Sequence, residues 1–147
     1  MEQIVLGIVL GVGSYQDIRK KSVGLWLIFV GAGAAVVMSV AGMGDEPVKY
    51  IEGILVGLTP GAILVLISVA SRGRVGMGDA LMVLVMGLFV GFRQTMGELL
   101  VALLFSGVFS LALVVIKKCG KEKELPFIPF LMAAHLTELC ILRQALL

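Results

Sequence analysis

The chain has 147 residues, of which 59% are hydrophobic and 15% charged, and its net charge is +2. A water-soluble domain of this length has roughly a quarter of its residues charged, so most of this surface is expected to face a lipid bilayer. The small net charge gives no indication of nucleic-acid binding. The length suits a single domain over residues 1–147, without a separate soluble domain.

Six apolar segments predict an all-α, polytopic membrane protein of about six transmembrane helices. The first is preceded by Glu2 and followed by basic residues, the reverse of a cleaved leader, so we expect it to remain as the first helix. The first and fourth segments are short, and lengthening them brings in Asp17 and Asp79, which are therefore expected at the membrane surface. The segments are Ile4–Gln16, Val23–Val40, Ile51–Val69, Ala80–Phe92, Leu99–Ile116 and Phe127–Leu142.

Basic residues are concentrated in the odd-numbered loops between these segments. Short loops rich in Lys and Arg mark the cytoplasmic side of a membrane protein. We therefore expect a multi-pass protein of the inner (plasma) membrane, with the odd-numbered loops in the cytoplasm and both termini outside. Nine of the 12 basic residues fall in these loops: Arg19, Lys20, Lys21, Arg72, Arg74, Lys117, Lys118, Lys121 and Lys123.

Two aspartates are expected to share the cytoplasmic face, because Asp17 ends the first helix and Asp79 begins the fourth. Neighbouring carboxyl groups can share one proton, since both ionise only at high cost. The ionised member can then activate a water while the protonated member polarises a peptide carbonyl. This pattern favours a catalytic pair. The alternatives are that Asp79 is a helix N-cap and that Asp17 is an ordinary interfacial charge.

Glycines precede Asp79 at Gly76 and Gly78. We expect them to allow backbone conformations closed to other residues and to leave room for a substrate strand. A second Gly-Met-Gly-Asp, ending at Asp45, is predicted on the outer face and is interpreted as a turn.

Other polar residues give weaker indications. His135 and Glu138 share one face of the last helix, and we interpret them as a local hydrogen-bonded pair near the outer interface, close to Arg143, while a functional role stays open. Cys119 and Cys140 indicate neither a disulfide framework nor a zinc site.

Three blocks of the sequence resemble the type IV prepilin peptidases, and particularly their short forms. The stretch Asp17–Leu27 is similar to the family's aspartate, basic run and Trp-Leu ending. Gly76–Asp79, continuing into Leu84–Gly91, looks like the family's Gly-x-Gly-Asp motif and the helix after it. Leu125–Leu131 resembles the Pro-Phe-x-Pro-Phe-Leu segment that opens the last helix.

The sequence also departs from this family pattern at a few positions. Gly24 and Leu25 stand where the family usually has Pro-Asn, and Leu81 replaces a common Lys. The four-cysteine zinc module of the long forms is missing, so methyltransferase activity has no support.

The resemblance implies an aspartic endopeptidase that cleaves the basic leader of prepilin-like proteins at the cytoplasmic face. Asp17 and Asp79 would be catalytic and Gly76 and Gly78 would belong to the substrate-binding motif, with no metal or organic cofactor. The expected partners are the lipid bilayer and substrates with a hydrophobic N-terminal helix. Two alternatives remain: a presenilin-like or signal-peptide-peptidase-like protease, and a non-enzymatic transport or scaffold subunit. The particular prepilin and the oligomeric state stay open.

Overall fold

The computed structural model describes residues 2–42, 47–72, 75–116 and 126–145. Every regular element in these ranges is a helix, which confirms the predicted all-α class. The five helices are α1 (Glu2–Lys20), α2 (Leu25–Ala41), α3 (Pro47–Ala70), α4 (Met77–Val115) and α5 (Ile128–Ala145).

Contacts between helix ends define two ends of the bundle. At one, which we call the aspartate end, the first residue of α5, Ile128, contacts Asp17 near the end of α1. At the other, which we call the Gln3 end, Gln3 of α1 contacts Gln94 of α4. The backbone of Gln3 also contacts His135, two turns along α5. Helices α1 and α5 therefore run antiparallel.

Helix α4 reverses direction at Gly91. Its first half leads from Asp79 at the aspartate end to Gln94 at the Gln3 end. Its second half returns, since the ring of Phe109 lies 5.5 Å from that of Phe130 in the first turn of α5. Gly91 has φ 73° and ψ −179°, a backbone conformation that glycine adopts far more readily than other residues.

The break at Gly91 corrects one expectation. Ala80–Phe92 and Leu99–Ile116 were predicted as helices separated by a loop, whereas the structure is helical on both sides of a single turning residue. Within the described residues this gives six helical segments, which correspond to the six apolar segments of the sequence. The number that cross the bilayer remains a prediction.

The outer surface of the bundle is apolar. Ile51–Ala70 and Met77–Val115 are long and apolar enough to cross a membrane, and Leu25–Ala41 and Ile128–Ile141 are shorter apolar helices. Large side chains point outward along them, including Phe29, which is 73% exposed. Extensive exposed apolar surface is uncommon on soluble monomers and suits contact with lipid.

Close helix packing fixes the first half of α4, which carries Asp79. Gly57 of α3 faces Gly87 of α4, and a Cβ on either would meet the backbone of the other. On the other side, Met82 and Met86 are fully buried with Leu10 of α1. Small residues allow membrane helices to approach in this way, so α4 has little freedom to slide.

Replacing Gly91 by Ala should destabilise the protein by about 1–3 kcal/mol, because a side chain is strained at this φ and ψ. The open space around Gly91 excludes a steric cause. Gly97→Ala is the matched control: its site is equally open and helical, and Ala favours a helix by about 0.8–1.0 kcal/mol over Gly. Thermal unfolding in detergent should show a lower midpoint for Gly91→Ala and an unchanged or higher one for Gly97→Ala. Equal midpoints would contradict a strained turn at Gly91.

Candidate active site at the aspartate end

The carboxylate of Asp17 lies on the N-terminus of α5. Asp17 is only 6% exposed, and its Oδ2 accepts a hydrogen bond of 3.2 Å from the backbone N–H of Ile128. The backbone N–H of Phe127 also favours the ionised form of this carboxylate. The first N–H groups of a helix have no partner within the helix and favour a negative charge. The start of α5 therefore supplies donors that Asp17 needs when ionised.

Burial and hydrogen bonding act on Asp17 in opposite directions. Asp17 lies just beyond the predicted span Ile4–Gln16. Removal from water raises the pKa of the Asp17 carboxyl, and the N–H groups of Ile128 and Phe127 partly oppose that rise. The two backbone N–H groups therefore partly compensate the negative charge of the Asp17 carboxylate.

Asp79 lies in the first turn of α4 and is half-buried. The N-cap of α4 is Gly76, with φ −58° and ψ 124°, so the interpretation of Asp79 as the N-cap is wrong. As the third residue of the helix, Asp79 turns its carboxyl back over the cap. A Cβ added at Gly76 would lie 2.7 Å from Asp79 Oδ2.

The two carboxyl groups come together at this end of the bundle. A negative charge on Asp17 disfavours ionisation of the Asp79 carboxyl. Burial removes both carboxyl groups partly from water. Like charges in such surroundings repel, so a state with one ionised and one protonated carboxyl costs less than a state with both ionised. The arrangement can therefore offer one ionised and one protonated carboxyl to a substrate.

The loop after α1 connects the two aspartate-bearing segments. Gln16, next to Asp17, accepts a 2.8 Å hydrogen bond through Oε1 from the backbone N–H of Gly24. The same loop packs on α4, because a Cβ at Gly78 would lie 3.3 Å from Cγ2 of Val23. The first and second sequence blocks are therefore in contact.

Gly76 and Gly78 leave room for neighbouring side chains. Gly76 is extended with a negative φ and Gly78 lies within α4, so the expectation of unusual backbone conformations is wrong. Side chains there would instead press on Asp79 and on Val23, respectively. The expected role of both glycines in binding substrate remains a prediction.

The loop also gives a physical reason for one departure from the family pattern. Gly24 has φ −66°, which proline could adopt, but proline has no N–H to donate to Gln16. A Cβ at Gly24 would also approach the Trp26 ring to 2.8 Å. Glycine is thus specifically suited to this loop.

A cavity of about 260 Å³ opens beside Phe127, the residue that precedes α5. It lies between the returning half of α4 and the start of α5, close to Asp17. Its lining is formed by Ser106, Gly107, Ser110, Pro126, Phe127 and Phe130. The space adjoins the start of α5, which contacts Asp17, and is largely apolar.

Other sequence predictions have different outcomes. Asp45 and Cys119 lie outside the described residues, as does the side chain of Arg143. The predicted local pairing of His135 with Glu138 is wrong: Nδ1 of His135 lies 2.9 Å from Oε1 of Glu98 on α4. Glu98 was not predicted from the sequence. An acidic residue next to an apolar segment needs a polar partner, and the single histidine of the chain was a candidate for that partner.

Residues 4–115 match the sequence model of the type IV leader peptidase family. The chain belongs to this family. The match includes Asp17, Gly76, Gly78 and Asp79, and it confirms the predicted family. The block Leu125–Leu131 lies beyond the matched range. No curated protein and no solved structure matches the chain significantly.

Family membership and the apolar helices together indicate a membrane-associated peptidase. The aspartate end is where the two family blocks within residues 4–115 meet.

Substituting Gly76 should impair leader cleavage without preventing folding. The new Cβ in Gly76→Ala would push the Asp79 carboxyl from its position, whereas Gly33→Ala meets no atom within 4 Å. Gly78→Ala should have a smaller effect than Gly78→Val, because the larger side chain must displace Val23. The measurement is cleavage rate per folded enzyme in detergent. Equal rates for Gly76→Ala and Gly33→Ala would contradict the importance of the Asp79 position.

Proposed function

We propose that this leader peptidase is a membrane-embedded aspartic endopeptidase that cleaves the basic leader of prepilin-like proteins. The observation that carries the proposal is the approach of Asp17 and Asp79, two carboxyl groups partly withdrawn from water at one end of the bundle. Family membership supports the peptidase activity, and the carboxyl pair supplies its chemistry.

The different surroundings of the two acids favour different roles. Asp17 receives backbone N–H donors from the start of α5, which stabilise its ionised form. Among the hydrogen bonds of the described residues, none reaches the carboxyl of Asp79, and a partly buried carboxyl without donors favours its protonated form. Asp17 is therefore assigned as the general base and Asp79 as the acid.

The reaction then needs no covalent intermediate. Asp17 takes a proton from a water as its oxygen bonds to the scissile carbonyl carbon, and Asp79 gives its proton to the carbonyl oxygen. The product of this step is a tetrahedral diol. In the second step Asp17 returns its proton to the leaving amine, the C–N bond breaks, and Asp79 regains a proton from a diol hydroxyl. Both carboxyl groups end in their starting states.

The substrate class follows from the family and from the surroundings of the site. Prepilin-like proteins have a short basic leader ending in Gly, followed by a hydrophobic helix. Exposed basic residues at the end of α1, Arg19 and Lys20, lie at the aspartate end, which supports a cytoplasmic site. The apolar cavity beside Phe127 offers space for a substrate side chain near the cleavage point.

Replacing either aspartate should abolish leader cleavage. Asp17→Asn removes the base and Asp79→Asn removes the acid, while both keep the size of the side chain. The control is Asp45→Asn, since Asp45 belongs to a similar motif that is predicted on the outer face. A prepilin gel-shift assay with co-expressed enzyme should show uncut substrate for the first two variants and normal processing for the third.

Normal processing by Asp17→Asn or Asp79→Asn would refute the aspartic assignment. If the wild type did not process any prepilin-like protein, a non-enzymatic membrane role would gain support.

The proposed orientation is tested by cysteine labelling. In a Cys140→Ser protein, Cys119 is the only thiol and lies in the predicted third cytoplasmic loop. A membrane-impermeant maleimide should label it only after the cells are permeabilised. In a Cys119→Ser protein, Cys140, which is exposed on α5, serves as the matched single thiol toward the Gln3 end. Labelling of Cys119 in intact cells would place the aspartates on the outer face.

A further inference from the structure

A second group of polar side chains is buried at the Gln3 end of the bundle, opposite the two aspartates. His135 is fully buried and Glu98 is 1% exposed. Gln94 donates a 3.2 Å hydrogen bond to Glu98 Oε1, and Gln3 contacts Gln94 across 3.4 Å. Side chains from α1, α4 and α5 thus meet in one network. Buried ionisable groups in a membrane protein are costly, which points to a function.

The hydrogen-bond partners of His135 limit where its protons can be. Nε2 lies 3.0 Å from the backbone carbonyl oxygen of Gln3, which can only accept, so Nε2 must carry a hydrogen. Nδ1 faces Oε1 of Glu98 at 2.9 Å, and a bond there requires one more proton between them. That proton belongs either to an imidazolium facing a carboxylate or to a carboxylic acid facing a neutral imidazole. The pair is electrically neutral in both cases.

The remaining oxygen of Glu98 has no donor of its own. Within the described residues, Glu98 Oε2 is buried without a hydrogen-bond partner, and so is Oγ1 of Thr95 one turn before it. The charge of Glu98 therefore depends on its contacts through Oε1, which are to Gln94 and His135.

We propose that Glu98 and His135 form a proton-binding site that holds one shared proton and ties α5 to α4 and α1. The proton lies between His135 Nδ1 and Glu98 Oε1. With it in place the two side chains together have no net charge. A buried pair without net charge avoids the large cost of an isolated ion in a low-dielectric environment.

Among the neighbouring side chains that the structure describes, no buried group supplies another counter-charge. Gln3, Gln94 and Thr95 are neutral. The charged residues nearest in sequence, Glu2 on α1, Arg93 on α4 and Glu138 on α5, are more exposed than Glu98 and His135. Within the described ranges, no set of His, Cys, Asp and Glu side chains is arranged to hold a metal ion.

The site has a mechanical consequence for the aspartate end. His135 is two helical turns from Ile128, whose N–H contacts Asp17. Fixing His135 on Glu98 therefore fixes the position of the α5 N-terminus along its axis. This consequence for cleavage rests on the proposed function, whereas the proton site itself does not.

Nuclear magnetic resonance of the intact protein in nanodiscs tests the site, because His135 is the only histidine. With ¹⁵N-labelled histidine, wild type should give one imidazole and one downfield, exchange-protected proton in the hydrogen bond between Nδ1 and Glu98, whichever partner carries it. Its signals should stay constant between about pH 5 and pH 8, where an exposed histidine titrates. Glu98→Gln should remove that proton and leave Nδ1 unprotonated, because an amide can donate to Nδ1 while Nε2 remains bonded to Gln3. Glu52→Gln, at an exposed site on α3, is the control and should match wild type.

Glu138, which is half-buried one turn after His135, serves as a second control, and Glu138→Gln should keep the His135 signals. A wild-type imidazole that titrates near its ordinary pKa of about 6.5 would overturn the proposal. An unchanged spectrum in Glu98→Gln would also overturn it. Both results can be obtained without any measurement of cleavage, so they are independent of the peptidase proposal.

Discussion

The hydrogen bond from the backbone of Ile128 to the carboxylate of Asp17 joins the last helix to the first. A buried carboxylate is tolerated only where donors compensate for lost water, and the start of α5 provides them. The same contact places the cavity beside Phe127 next to Asp17. Because α5 begins at this carboxylate, its position sets the geometry of the whole aspartate end.

The bundle is mostly apolar but has a polar site at each end, and α5 contributes to both. Its N-terminus contacts Asp17, and His135, two turns later, contacts Glu98. The reversal of α4 at Gly91 makes this possible, since it brings Asp79 to one end and Glu98 to the other within one continuous element. Proton sharing between ionisable side chains is proposed at both ends, with catalysis at only one of them.

Much of this organisation could be predicted from the sequence, because it depends on local composition. The apolar segments gave the helices, and the loop charges placed Asp17 and Asp79 at the same end. Pairing across the chain could not be predicted in this way: the partner of His135 is 37 residues away in α4. Contacts between distant segments could not be predicted either. A small residue is required at position 78 because Val23 packs against it, and only the structure shows that contact. The reversal was predicted as a loop between Phe92 and Leu99, where polar residues stand, whereas the chain turns at Gly91, inside the predicted fourth segment.

The central claim is that Asp17 and Asp79 act as a pair that shares one proton. The most direct test is the dependence of kcat/KM on pH for the purified enzyme in nanodiscs with a prepilin-like substrate. A shared proton predicts a bell-shaped profile, because activity is lost at low pH when both carboxyl groups are protonated and at high pH when both are ionised. The pH stability of folded enzyme and substrate, measured in parallel, separates titration from denaturation. A rate that stays constant, or that changes in only one direction over the range where the enzyme is folded, would contradict the shared-proton account.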